Sequence, residues 1–470
     1  MASGALSAST PPNIPAPTDR LEDEFRRTLL SVNFPVEAEI VLDSQYTDLN
    51  VKFDQIEAVG DLRRTADRMT AAGYSQERVV DVYASARKSL LVEICKDLDP
   101  NVESEELKGR WTRAAKIAVH VSFPCERRLL DRIFPDLTAD IAEACFVEIV
   151  GDSALCLLRF TEAITNTESP CRMFFALDLY ELLSGLLPQI RTIFGSKSGE
   201  SISNEAEKSL SGLSNCIITT FSENETALNR EKHRIATEGG SIHPLTRYTM
   251  CLMTYLAEYK TTLSKLMEEA SSKLELRISQ IILDLKSNME YKSKYYKDAS
   301  LRHLFMMNNL NYMVWRIKKS SNLKTMVGND GLVNELTEEY YRDLKLYLEL
   351  TWESLLDSLR STEEVKPGVF SSFVSKKVVY RQRLKVFYDK FKKVRGTQSS
   401  WIVSDEQLRK EVRSYILSLV IPVYTSFLEK HGSDIERGDH PCICISHSVE
   451  KLRKEVEEMF QDESTISFEY

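Results

Sequence analysis

The strongest constraint on this chain is a set of long segments in which apolar residues return every three or four positions, in stripes too narrow to bury themselves. Leu21, Phe25 and Leu29 recur at four-residue spacing. Val79, Tyr83, Ala86, Leu90 and Ile94 form a second stripe, with Ser75 as its N-cap just after Gly73. A third runs Leu245, Tyr248, Leu252, Tyr255, Leu256, Tyr259, Leu263 and Leu266 behind Pro244, whose missing N–H costs nothing in a first helical turn. Leu301, Leu304, Phe305, Tyr312 and Trp315 form a fourth. Each stripe needs a neighbouring helix to cover it. The economical solution is antiparallel hairpins stacked side by side, which grow in one direction because each pair touches mainly its neighbours. The predicted fold class is therefore all-α, an elongated rod of stacked antiparallel helical bundles. No fixed-period repeat is present. Alternating strand patterns are confined to short ambiguous pieces such as ICIS around Ile443.

A chain of 470 residues is too long for one compact core, and its polar breaks suggest where the units divide. Residues 1–18, rich in Ser, Pro and Ala, read as a disordered tail, followed by N-terminal helical bundles over 19–194. The Gly/Ser-rich stretch 195–208 reads as a flexible loop. A middle bundle over 209–360 and a C-terminal bundle over 361–460 follow, the latter opening on STEEVKPGVFSSFVS, and 461–470 reads as a frayed tail.

Composition removes several function classes. A net charge of −9 makes nucleic acid an unsuitable default partner. Nine cysteines, at Cys95, Cys125, Cys145, Cys156, Cys171, Cys216, Cys251, Cys442 and Cys444, follow no framework spacing, as expected in a reducing compartment. The start MASGALSASTPPNIPAPTD is not patterned as a signal peptide, and no window reads as the roughly 18 apolar residues a membrane span requires. Gly4 is not the second residue, and SFEY is not a prenylation box. Any membrane contact is therefore expected to be peripheral.

No catalytic constellation emerges, so the chain is read as a non-enzyme without cofactor or resident metal. There is no P-loop, no dinucleotide glycine fingerprint and no His-Glu-x-x-His motif. His440, Cys442, Cys444 and His447, with His431 upstream, are zinc-loving types at a spacing that matches no usual structural zinc site. DLDPNVESEELK from Asp97 fails as a calcium loop, having Val102 where glycine is needed and Lys108 where glutamate is needed. His243, Thr246 and Arg247 read as a helix start packed on its neighbours, and Asn308 and Asn309 as buried hydrogen-bonding groups that fix helix register.

The strongest charge feature is SKKVVYRQRLKVFYDKFKKVRG. Lys376, Lys377, Arg381, Arg383, Lys385, Lys390, Lys392, Lys393 and Arg395 stand against one acid, Asp389. Leu384, Phe387, Tyr388, Phe391 and Val394 share a helical face, so the cations are expected to project outward as a patch for anionic lipid or an acidic partner. The alternative is a solvated helix face without a partner.

Five segments in this order resemble a known family. They are RWTRAAKIAVHVSFPCERRLLDRIFP (Trp111, Glu126, Arg127, Arg128, Phe134), GGSIHPLTRYTM (His243 to Tyr248), LFMMNNLNYMVWRIKKS (Leu304 to Tyr312), TQSSWIVSDEQLR ending at Arg409, and LVIPVYTSFL ending at Leu428. The series resembles the exocyst seventy-kilodalton subunit in its plant form, over roughly Leu21 to Phe460. The resemblance implies a helical rod of the tethering class that holds secretory vesicles at the plasma membrane. It implies other exocyst subunits and anionic phosphoinositides as partners. Three departures bear on this. The chain reads as shortened at its N-terminus, where the family carries a coiled-coil-forming region used in complex assembly. A lysine pair of the family, which contacts phosphoinositide, aligns with Ile443 and Ser446. Lys392 and Lys393 stand where family members commonly carry acids. The alternative reading is a diverged paralogue outside the exocyst, an adaptor in plant defence-related traffic with a pathogen effector or immune receptor as partner.

Overall fold

The computed structural model describes residues 17–32, 57–92, 105–167, 172–230, 237–267, 271–328, 330–360, 376–436 and 448–460. Among these the fold is all-α and contains no β-strand; Ile402 makes an isolated backbone bridge. Two compact units divide at Phe221 and Ser222.

The first unit begins with α1 (Pro17–Ser31), α2 (Glu57–Ala71) and α3 (Gln76–Leu91). Helix α1 thus starts inside the segment expected to be a tail. The hydroxyl of Ser75 accepts from the Arg78 amide at 3.2 Å, the anticipated N-cap, and Gly73 before it turns the chain at φ +98°. Helix α4 (Glu105–Ile117) passes through a π turn, Ala118–Ser122, into α5 (Phe123–Ile133). Then come α6 (Ala139–Thr165), α7 (Arg172–Ile193) and α8 (Glu200–Arg230), the last containing the unit division. Of the loop expected over 195–208, only 195–199 is non-helical. Ile202, Ala206, Leu213 and Ile217 supply a buried stripe that holds the rest in α8.

Trp111 of α4 donates its indole N–H to the Leu157 carbonyl at 2.9 Å and stacks on Phe160. Phe123 and Phe146 close on Phe194. Cys125 and Cys145 are buried, and burial first, with nearby carboxylates, pushes the Cys145 thiol up to about 12, so it packs as a small apolar group. Helix α7 corrects one expectation. At 22 residues, with a window hydropathy of 1.2, it is long and apolar enough to cross a membrane by length and composition. Its Met173, Phe175, Leu179, Leu183, Leu186 and Ile190 are buried, Asp178 pairs with Lys108 at 2.5 Å, and 39% of the apolar window is buried within the fold.

A buried ion pair ties three helices of this unit. Arg87 of α3 meets Glu126 of α5 at 2.8 Å, and both side chains are essentially inaccessible. The remaining guanidinium donors reach the Leu29 and Val32 carbonyls at the end of α1, at 3.0 and 2.8 Å. Tyr83 donates to Glu126 at 2.7 Å, and burial first, then the Glu126 charge, holds its hydroxyl well above the ordinary tyrosine pKa. Both carboxylate oxygens thus face donors, the condition under which a buried charge is tolerated.

The second unit runs through α9 (Pro244–Leu256), a 3-10 turn Ala257–Tyr259, α10 (Lys260–Leu266), α11 (Ser271–Ser293), α12 (Ala299–Lys319), α13 (Ser321–Met326) and α14 (Asp330–Leu348). A π turn Glu349–Glu353 joins α14 to α15 (Ser354–Arg360), followed by α16 (Lys376–Gln398), α17 (Glu406–Glu436) and α18 (Val449–Glu457). Helices α12 and α14 are antiparallel, as His303 beside Asp343 (2.6 Å) and Ser300 beside Thr351 (2.8 Å) require. The long stripe after Pro244 is broken by the turn at Ala257. The buried residues of α9 are Thr246, Thr249, Met250, Leu252, Met253 and Leu256, of which Leu252 and Leu256 belong to that stripe, while Tyr248 is exposed. Trp315, assigned to a core stripe, is also exposed.

Asn308 and Asn309 organise this unit. The Asn309 side-chain oxygen accepts from the His243 amide (3.0 Å) and the Thr246 hydroxyl (2.7 Å), pinning the start of α9 to α12. Its NH2 donates to Phe305 at 2.8 Å. The Asn308 NH2 donates to Gly240 (2.7 Å) and Ile402 (2.8 Å). The Ile402 amide in turn donates to Gly239 at 2.8 Å. Gly239 and Gly240 lie at φ +61° and +74°, and a Cβ on Gly239 would sit 2.6 Å from the Ser400 carbonyl. This loop therefore needs glycine for both conformation and space.

Arg87→Ala is expected to cost about 3–5 kcal/mol in chemical denaturation, because it strands a buried carboxylate. Arg87→Lys should recover little of that loss, since an ammonium cannot span all these acceptors; a lysine variant as stable as the parent would show that the fork geometry is irrelevant. Asn309→Ala should lower stability by about 1–3 kcal/mol by orphaning the His243 amide. The exposed control Asn322→Ala should stay within about 0.5 kcal/mol.

Candidate interaction surface

Helix α16 carries the densest run of cations, and its apolar face is as anticipated: Leu384, Phe387 and Phe391 are buried, with Tyr388 and Val394 half-buried. Phe387 stacks on Tyr424 of α17 at 5.5 Å, and Phe391 lies 6.1 Å from Trp352. At the far end, Gln398 accepts from the Tyr347 hydroxyl at 2.7 Å, and Trp352 donates to that hydroxyl at 3.2 Å. Burial raises the Tyr347 pKa, so the hydroxyl remains a donor. These contacts fix the rotation of α16 and so decide which cations face solvent.

The nine cations do not form one outward patch. Arg381 turns back on α17 and donates to the Ile435 carbonyl at 2.8 Å, satisfying the helix end. Lys390 reaches the Ser354 carbonyl at 3.1 Å. Arg395 pairs with Glu458 at 3.0 Å and Glu455 at 3.7 Å, on and just beyond α18. Arg383 is half-buried and engaged. Lys385, Lys392 and Lys393 are exposed, and no described residue pairs with them. They share a face with the exposed Asp389. The side chains of Lys376 and Lys377 lie outside the described residues, as do His440, Cys442, Ile443, Cys444, Ser446 and His447. Among the described residues the exposed cations without a partner are three lysines around one aspartate, fewer than the nine the sequence suggested.

Sequence reasoning missed the residues that hold this corner together. Arg413 of α17 donates to the Met459 carbonyl at 2.9 Å beyond the end of α18, and burial lowers its pKa. Glu455 and Glu458 face Arg395 from one side of α18, a pairing across about 60 residues that no local pattern announces.

Comparison with known proteins agrees with this architecture. The family model for the C-terminal part of Exo70, an exocyst complex subunit, matches residues 109–463. The chain is 30% identical over 445 residues to the exocyst complex component EXO70B1 of Arabidopsis thaliana, covering 89% of this chain and 69% of that protein. It is 30% identical over 428 residues to EXO70A1 of the same plant, covering 86% and 66%. The chain thus spans about two thirds of the length of these relatives. The crystal structure of the S. cerevisiae exocyst component Exo70p superposes with a TM-score of 0.52 at 16% identity, covering 94% of this chain and 87% of that one, which shows a shared fold. With its helical fold, its family match across most of the sequence and relatives at this identity, the chain belongs to the Exo70 family of exocyst subunits.

Proposed function

We propose that this protein acts as an Exo70-type exocyst subunit, tethering secretory vesicles to the plasma membrane by surface contact with other exocyst subunits. The observation that carries this reading is the family match over residues 109–463, reinforced by exocyst-named relatives over most of the chain. Packed helices present broad side-chain surfaces, which suits a part that works by holding others together. A role outside the exocyst, in defence-related traffic or effector perception, draws no separate support from these relatives.

Affinity purification of the tagged chain from its native cells is expected to recover other exocyst subunits in stoichiometric amounts. Their complete absence under conditions that preserve the assembled complex would defeat the tethering assignment.

A finer reading concerns α16. Lys385, Lys392 and Lys393 form a peripheral contact with an anionic membrane surface. Each cation near an anionic leaflet contributes about 1 kcal/mol, so three supply about 3 kcal/mol, enough for weak, salt-sensitive, reversible attachment. Arg381, Lys390 and Arg395 serve the fold and make poor test sites. The triple variant Lys385→Glu/Lys392→Glu/Lys393→Glu should lose most sedimentation with phosphoinositide-containing liposomes while keeping its helical circular-dichroism signal. Undiminished sedimentation of that variant would remove α16 from membrane contact.

A further inference from the structure

Three of the four tryptophans, Trp111, Trp352 and Trp401, are buried, while Trp315 near the end of α12 is 42% exposed. It lies in an unusual stretch. From Ala299 to Met326 there is no aspartate or glutamate, in a chain that holds 70 acidic residues. Arg316, Lys318 and Lys319 make no ion pair with any described residue. Lys319 places its ammonium 4.6 Å from the centroid of the Trp315 ring, and Arg316 lies 6.0 Å from it. Tyr312, one turn earlier, is 5.8 Å from Trp315 and carries the Arg247 guanidinium of α9 at 5.5 Å. Arg316 is tied to the Thr254 hydroxyl of α9 at 3.2 Å, and its buried Nε has no acceptor.

We infer that this face of α9 and α12, centred on Trp315, docks an acidic amphipathic helix of a partner protein. Charge complementarity selects the partner's sign: the exposed, unpaired Lys318 and Lys319, in a stretch free of aspartate and glutamate, call for carboxylates. The aromatic pair selects its other face, because an exposed Trp flanked by Tyr and Arg is the composition of a protein-interface anchor. Cations in a last turn also complement the helix dipole, which accounts for the charge but not for an exposed indole. A bilayer is the weaker fit. Trp315 is more than half covered and carries Lys319 across its ring, so it lies in the surface and does not project from it. The site shares no residue with α16.

The test uses the full chain and a synthetic, tryptophan-free helical peptide of about twenty residues, with leucine on one face and glutamate on the other. Because the other tryptophans are buried, a peptide-induced change in tryptophan emission reports chiefly on Trp315. Addition of the peptide should shift that emission to shorter wavelength and saturate in the micromolar range. The same peptide with lysine in place of glutamate should give no shift. Lys318→Glu/Lys319→Glu should weaken binding at least roughly tenfold by calorimetry, with the helical circular-dichroism signal retained. Trp315→Ala should abolish the spectral shift and also weaken binding by calorimetry. The inference is overturned if the acidic peptide gives no shift at millimolar concentration, or if the charge-reversed variant binds it equally well. It is likewise overturned if phosphatidylserine vesicles shift the emission and the peptide does not.

Discussion

A single amide, that of Asn309, sets the register of the second unit. It lies at a point with no access to solvent, where α9 begins and α12 passes. An unpaired amide there would be costly, and both bonds its oxygen accepts depend on a particular offset between the two helices. Apolar side chains alone tolerate small slips, because greasy contacts are non-directional. The neighbouring Asn308 extends the same control to the glycine loop at Gly240 and to the Ile402 strap. Helix α12 can therefore be regarded as the axis against which the other segments of this unit are indexed.

Arginine plays the corresponding part at helix ends. Arg87, Arg381 and Arg413 each reach from one helix to carbonyls at or just past the C-terminal end of another. The last carbonyls of a helix have no partner within it and carry partial negative charge, so a guanidinium both satisfies and neutralises them. This use of cations explains why a count of basic residues overstates how basic the surface is. On α16, the arginine and lysine that bond backbone or acid groups are part of the packing, and the lysines left over define the surface.

The helical class, the cap at Ser75, the first-turn role of Pro244 and the structural use of the two asparagines were all legible in the sequence. Each depends on local spacing or on a residue type with few alternatives. Family membership was legible too, because HPLTRY and LFMMNNL are long and specific. The sequence could not disclose which face of a helix wins when two are partly apolar. Tyr248 and Trp315 fit a stripe by spacing, yet Thr246, Thr249 and Met253 took the buried positions because the asparagine contacts rotate α9 and α12. Long-range pairing was equally hidden. Arg87 lies among apolar neighbours and reads as a surface residue until Glu126, 39 positions later, is seen beside it. The apolar run of α7 was not singled out in the sequence as a span, although by length and composition it passes that test.

The π turn at Ala118–Ser122 has a geometric effect on the helix that contains it. One extra residue in a turn advances the phase of everything downstream by about 100° relative to an unbroken helix. Trp111 upstream and Glu126 downstream can therefore address different neighbours, Leu157 in one direction and Arg87 in another, from what is nearly one continuous spiral. Deleting a single residue there would not shorten the helix so much as turn its second half like a key in the wrong lock, aiming a carboxylate at hydrocarbon.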